Sequence, residues 1–177
     1  MNLKILLVGL GLAAALLLVL GGGLVAGSGE AQASGVGQPA PAFELSSVSG
    51  STRLTTASLR GKPAVVNFWA TWCPGCREEH QALQQAARAF AGRVGFLGIS
   101  VDDDSGAVRK FLEEHGSAYP VALDRQSQTA SAFGAVGVPQ TFLLDARGTV
   151  VATVQGPVDA KQLSEILNAL LGPAVAP

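Results

Sequence analysis

The sequence predicts one α/β domain: a mixed central sheet flanked by helices and opened by an N-terminal β-hairpin. Three observations carry that expectation. Residues 63–69 form a continuous apolar run broken only by Asn67, as suits a strand covered on both faces. After Cys73 the pattern switches to a helical period, and residues 94–101 return to an apolar run. Strand–helix–strand order calls for a parallel pair. Late in the chain, residues 141–144 and 149–155 flank Asp145-Ala146-Arg147-Gly148, a hairpin turn that adds antiparallel strands.

Taken in order, the chain opens on residues 1–26, an N-terminal transmembrane signal-anchor by composition. Ile, Leu, Val, Gly and Ala alone fill residues 5–20, and no charge appears until Glu30. A run of this length spans a bilayer, and Lys4 before it favours a cytoplasmic N-terminus with the rest of the chain outside. Val25-Ala26-Gly27 and Ala31-Gln32-Ala33 have the small residues of a signal-peptidase site, so a removed signal is the alternative. Either way the domain is exported. Residues 27–40, rich in Gly, Ala, Ser and Pro, read as a flexible linker.

The domain is expected over residues 41–172, with a C-terminal tail at 173–177. Residues 43–48 and 53–55 flank Ser49-Gly50-Ser51 as a hairpin, and Ala57-Ser58-Leu59-Arg60-Gly61 reads as a short helical turn. In the helix after Cys73, Cys76, Leu83, Ala87 and Phe90 share one face. Arg77, Gln81, Gln84, Gln85 and Arg88 fall on the other, and Gly92 ends the helix. Residues 105–115 form a helix, with Val108, Phe111 and Leu112 inward. A short strand at 119–123 and a helix at 127–133 follow. Asp159 caps a last helix reaching Leu171, with Leu163, Ile166, Leu167 and Leu170 along its apolar stripe.

The formal net charge of −1 gives no basic face for nucleic acid. Chemistry concentrates in Trp72-Cys73-Pro74-Gly75-Cys76, which holds both cysteines of the chain. As a staple, a pair three residues apart removes little entropy from the unfolded chain. In an exported protein the spacing therefore points to redox work, with a structural bridge and half a metal site as the alternatives. Zinc normally takes four ligands; the chain has two histidines, His80 beside Cys76 and His115 at the end of a distant helix. No metal and no cofactor beyond the cysteine pair is expected.

Cys73 falls at or next to the N-cap, where a thiolate accepts from the amides of Gly75 and Cys76 and meets the positive end of the helix dipole. Cys73 is therefore expected to attack, and Cys76, one turn in, to resolve the mixed disulfide. Pro74 suits the first helical position. Glu79 lies about 20° from Phe90 and about 40° from Leu83 around the helix, which puts a carboxylate on the buried stripe. Its pKa is expected to be raised, and it is the candidate proton partner of Cys76. Asn67, inside an apolar strand, must find hydrogen-bond partners. Trp69 reads as core packing and Trp72 as the rim a substrate touches. Pro139 opens a strand, where a cis bond can be used, although an ordinary loop proline is the default from the residues alone.

Residues 65–79, Val-Val-Asn-Phe-Trp-Ala-Thr-Trp-Cys-Pro-Gly-Cys-Arg-Glu-Glu, resemble the active-site region of the thioredoxin superfamily. The membrane-anchored TlpA/ResA/CcmG (DsbE)-like thiol-disulfide oxidoreductases are the most similar group. Pro41-Ala42-Phe43 with Leu59-Arg60-Gly61-Lys62 resembles their N-terminal hairpin and turn, and residues 137–145 their cis-proline segment. The resemblance spans residues 39–171. It implies a thioredoxin fold with the 105–115 helix as an insertion after the second core strand, Cys73 as nucleophile, Cys76 as resolving thiol, Glu79 as the buried glutamate and Pro139 as the cis-proline. Val138 then pairs its backbone with an extended substrate, and Trp72, Pro74, Gly75 and Pro139 complete the substrate-facing set, with Asn67 and Trp69 behind it. Asn67 stands where ordinary thioredoxins carry an aspartate, so the proton-transfer role moves to Glu79. Gln140 departs from the acidic residue frequent in the CcmG branch.

The resemblance also implies a function: a monomeric, membrane-bound, extracytoplasmic (periplasmic) reductant of client disulfides, such as those of apocytochrome c in cytochrome c maturation. A membrane electron donor of the CcdA/DsbD type recharges it, and residues 5–26 meet the lipid bilayer. A general extracytoplasmic disulfide oxidase and a copper-delivering thioredoxin-like protein are the alternatives. Copper transfer wants a further histidine or methionine, and Met1 is the one methionine. A peroxidase is disfavoured because a peroxidatic cysteine does not use a partner three residues on.

Overall fold

The computed structural model describes residues 34–101 and 104–172; the expected membrane anchor and the C-terminal tail lie outside them. Among the described residues no helix is long and apolar enough to cross a membrane.

Strands β1 (Glu44–Ser46) and β2 (Arg53–Thr55) form the expected antiparallel hairpin, followed by a 3-10 turn at Thr56–Leu59. Thr55 caps that turn through its side chain, which accepts from Ser58 N–H. The main sheet is built from β3 (Ala64–Trp69), β4 (Gly95–Val101), β5 (Val121–Asp124), β6 (Gln140–Leu144) and β7 (Val150–Gln155). Its order is β5-β4-β3-β6-β7, with β3, β4 and β5 parallel and β6 and β7 antiparallel to their neighbours. Four helices complete the domain: α1 (Pro74–Ala89), α2 (Ser105–His115), α3 (Gln128–Phe133) and α4 (Ala160–Leu171). The fold is the mixed α/β thioredoxin architecture expected, with α2 as the helical insertion after the second core strand.

All six residues of β3 are buried, because this central strand is covered on both faces. Its side chains alternate between two cores. Val66 and Phe68 pack with Phe133 and Phe142, whose rings meet Phe68 edge-on at 5.2 and 5.7 Å. Val65 packs with Leu83, Phe90, Leu143, Leu163 and Leu167 beneath α1 and α4. Asn67 shares the parity of Val65, which turns its amide towards α1.

Two readings from periodicity are corrected by packing. Gln84, assigned to the outer face of α1, is buried, and its Nε2 donates to the His115 carbonyl at 2.8 Å. His115, taken to end a distant helix, brings its ring within 6.4 Å of His80. The reason is the same in both cases: α2 docks along the flank of α1 that a helical wheel treats as solvent. The last residues of the expected linker also differ from a free tether. Gly37 donates to Val150 O at 2.7 Å, Ala40 donates to Gly148 O at 2.8 Å, and Pro39 bridges Thr149. Composition reports the lack of a side-chain pattern there, and these bonds are made by the backbone.

Candidate active site

The end of β3 delivers the chain into the N-terminus of α1. Cys73 is the N-cap residue, in extended conformation, and its sulfur accepts from Cys76 N–H at 3.2 Å. Pro74 occupies the first turn, where the missing N–H costs no helical bond. Cys73 and Cys76 are joined by a disulfide, with Cα atoms 5.3 Å apart. Both are buried, while Trp72 beside them is 61% exposed.

The opposite wall is the segment before β6. The Val138–Pro139 peptide is cis. Cys73 Sγ lies 3.6 Å from the Val138 carbonyl oxygen. A Cβ placed on Gly75 would sit 3.5 Å from Pro139 Cδ and 3.5 Å from Pro157 Cγ, so the dipeptide between the cysteines packs on two prolines. Gln140 is buried, with Oε1 accepting from Val136 N–H at 3.0 Å. Val136 itself is 78% exposed, a second apolar side chain on this rim that sequence patterning did not single out.

Glu79 lies one turn beyond Cys76 and is 2% exposed. Its Oε1 accepts from Asn67 Nδ2 at 2.8 Å, and its Oε2 accepts from Val158 N–H at 2.9 Å. Asn67 Nδ2 also donates to Thr141 Oγ1 at 3.0 Å, across the β3–β6 register pair. Burial raises the Glu79 pKa from 4.5 to about 7, against the pull of the Val158 and Asn67 bonds, which both favour the carboxylate. Burial also pushes the Tyr119 hydroxyl up, with the charge of Glu79 adding to the shift.

Trp69 is buried against Phe111, centroids 5.2 Å apart, and against His80 at 6.3 Å. His80 Nε2 stands 2.9 Å from the Gly116 carbonyl oxygen and 3.1 Å from Gln84 Nε2. Burial holds this imidazole below its ordinary pKa.

The structure therefore gathers Asn67, Cys73, Pro74, Gly75, Cys76, Glu79, Val138 and Pro139 into one neighbourhood, with Trp72 on the rim and Trp69 in the core behind. Thr141, Pro157 and the Val158 amide were missed. A polar residue inside the apolar run 141–144 was a usable signal for Thr141. A backbone N–H leaves no mark in sequence.

The chain is similar to known proteins. The model of the AhpC/TSA family matches residues 36–153. The chain is 38% identical over 172 residues to a thiol:disulfide interchange protein DsbE of Pseudomonas aeruginosa, covering 96% of this chain and 94% of that one. It is 31% identical over 133 residues to the thiol-disulfide oxidoreductase ResA of Bacillus subtilis, covering 75% and 74%. Among solved structures it is similar to a thiol:disulfide interchange protein of the thioredoxin family from Chlorobium tepidum. That likeness has a TM-score of 0.69 and 35% identity over 76% of this chain and 96% of that chain.

Proposed function

We propose, from the premise that the chain belongs to the AhpC/TSA family and is a thiol-disulfide oxidoreductase of the thioredoxin fold, that it reduces client disulfides outside the cytoplasm. In the reduced protein the Cys73 thiolate attacks one sulfur of a client disulfide. A Cys73–client mixed disulfide forms and the first client thiolate leaves. Cys76 gives its proton to Glu79 and attacks Cys73 Sγ, which expels the second client thiolate and closes the Cys73–Cys76 disulfide. Two electrons pass from the protein to the client, and a membrane electron donor of the CcdA/DsbD type returns them.

The observation that carries this reading is the Cys73 sulfur at the α1 N-cap, bonded to Cys76 N–H and facing the carbonyl before cis-Pro139. A sulfur so placed leaves and attacks as a stabilised thiolate. Glu79 is the proton partner because it is the buried carboxyl on the cysteine-bearing face of α1, and a pKa near 7 suits proton exchange with a thiol. Trp72, Pro74, Gly75, Val136 and Val138 form the client-facing rim, Pro139 closes it, and Asn67 and Trp69 support it from behind. Residues 1–26 anchor the chain in the cytoplasmic membrane, with the domain on the periplasmic side as a monomer. Apocytochrome c is the client that fits the likeness to DsbE and ResA proteins.

The test is a Cys76→Ser trap in cells. Without the resolving thiol, Cys73 is expected to accumulate in a mixed disulfide whose partner is identified after non-reducing electrophoresis. Absence of any such adduct, with the Cys73→Ser/Cys76→Ser control looking the same, would sink thiol exchange as the function.

A further inference from the structure

The loop between β7 and α4 touches three parts of the site that lie far apart in sequence. Gly156 N–H donates to the Pro139 carbonyl at 2.9 Å, Pro157 stands against Gly75, and Val158 N–H donates to Glu79 Oε2 at 2.9 Å. Gly156 has φ +87°, a left-handed conformation that side-chain-bearing residues resist, so the loop depends on glycine for its path. Val158 is buried among Leu83, Leu163 and Leu167, which fixes the direction of its amide. The same loop forms one wall of a cleft of about 450 Å³. Pro157, Val158, Asp159 and Ala160 line one side, and Glu79 lies on the other beside Ala82.

We infer that Val158 is a positioning residue of the redox site: its backbone N–H holds the Glu79 carboxylate in the orientation that receives the Cys76 proton, in register with the proline wall that Gly156 ties down. The inference rests on the reading of Glu79 as proton partner and deepens it. Glu79 has two acceptor oxygens, and both are held by N–H donors, Asn67 on one side and Val158 on the other. The first comes from a side chain of the central strand. The second comes from main chain on an element that the cysteine motif does not encode.

Several groups set the electrostatics around this carboxyl. Asn67 from β3 and the Val158 amide stabilise its charge. Glu78 on its own helix and Asp159 at the N-cap of α4 are the other carboxyl groups lining the same cleft. Tyr119, just before β5, is coupled to it. Proline at position 158 removes the amide donor without altering any side-chain charge.

The experiment follows the second thiol released from a cystine-bridged test peptide by the reduced full-length protein in single turnover, as a function of pH. In the wild type this resolution step is expected to rise through about pH 7 as Glu79 ionises. Val158→Pro deletes the donor and is expected to move that limb upward by roughly one pH unit. Glu79→Gln separates the two claims. If it leaves the limb intact, the proton-partner reading falls. If it abolishes the limb while a folded Val158→Pro protein keeps the wild-type midpoint, this inference alone falls. Should Val158→Pro not fold, the wild type still decides. The Val158 amide proton resonance is expected to titrate with the Glu79 midpoint and to stand still in Glu79→Gln; a stationary resonance in the wild type overturns the inference.

Discussion

Replacing Glu79 by Gln tests the buried carboxyl through stability, independently of any client. The carboxyl has a pKa of about 7 in the folded protein against 4.5 for an exposed glutamate, because burial outweighs its two hydrogen bonds. A carboxyl pKa raised by folding means that the native state keeps a proton which the unfolded chain has released. Stability therefore falls as pH rises from 4.5 to about 7 and levels off above that. At about 1.4 kcal/mol per unit, the shift costs about 3 kcal/mol between roughly pH 4 and pH 8. Glutamine cannot ionise, so its slope from this position is zero. It carries a separate, pH-independent penalty, since its amide nitrogen faces either Asn67 Nδ2 or Val158 N–H, donor against donor. The assay is urea unfolding of the oxidised full-length protein and the variant across that pH range. The stability difference between them is expected to swing by about 3 kcal/mol in favour of the variant as pH rises. Parallel pH profiles would refute the raised pKa, and with it the argument that burial dominates at this site.

Two further outcomes separate rim from core. Trp72→Ala is expected to change stability by less than about 0.5 kcal/mol, since the side chain is largely exposed, and to slow client reduction. Trp69→Ala is expected to cost about 3–5 kcal/mol by emptying the space against Phe111 and His80, as read from thermal or urea unfolding. Gly98→Ala in β4 places a Cβ 3.1 Å from Trp69 Nε1 and 3.2 Å from Tyr119 Cε2. Trp69 is held from behind by Phe111 and His80, so the variant is expected to lose about 1–3 kcal/mol, measured the same way, and an unchanged midpoint would refute the tight packing.

Much of the site was legible because its physics is local. The capping position of Cys73 follows from a strand end meeting a helix start, and Pro74 marks the first turn. The burial of Glu79 follows from angular position on one helix, since Leu83 and Phe90 fix which face is inward. Gln84 breaks that rule. It occupies a polar arc of α1, yet α2 covers it, and a helical wheel holds no information about what docks on a helix's flank. His115 was misplaced for the same reason.

What the sequence alone determined is therefore the set of elements and the apolar stripe that each helix turns inward, with Gln84 on α1 as the exception. These depend on periodicity and on caps that act within one turn. The tertiary structure decided which groups meet. Asn67 was required only to find partners; sheet order, with β3 beside β6, made Thr141 one of them and parity made Glu79 the other. Val158 reaches Glu79 across 79 positions, through main chain, because α4 packs on α1 and turns the loop before it inward. Contacts at that separation are set by packing of whole elements, which no local pattern encodes.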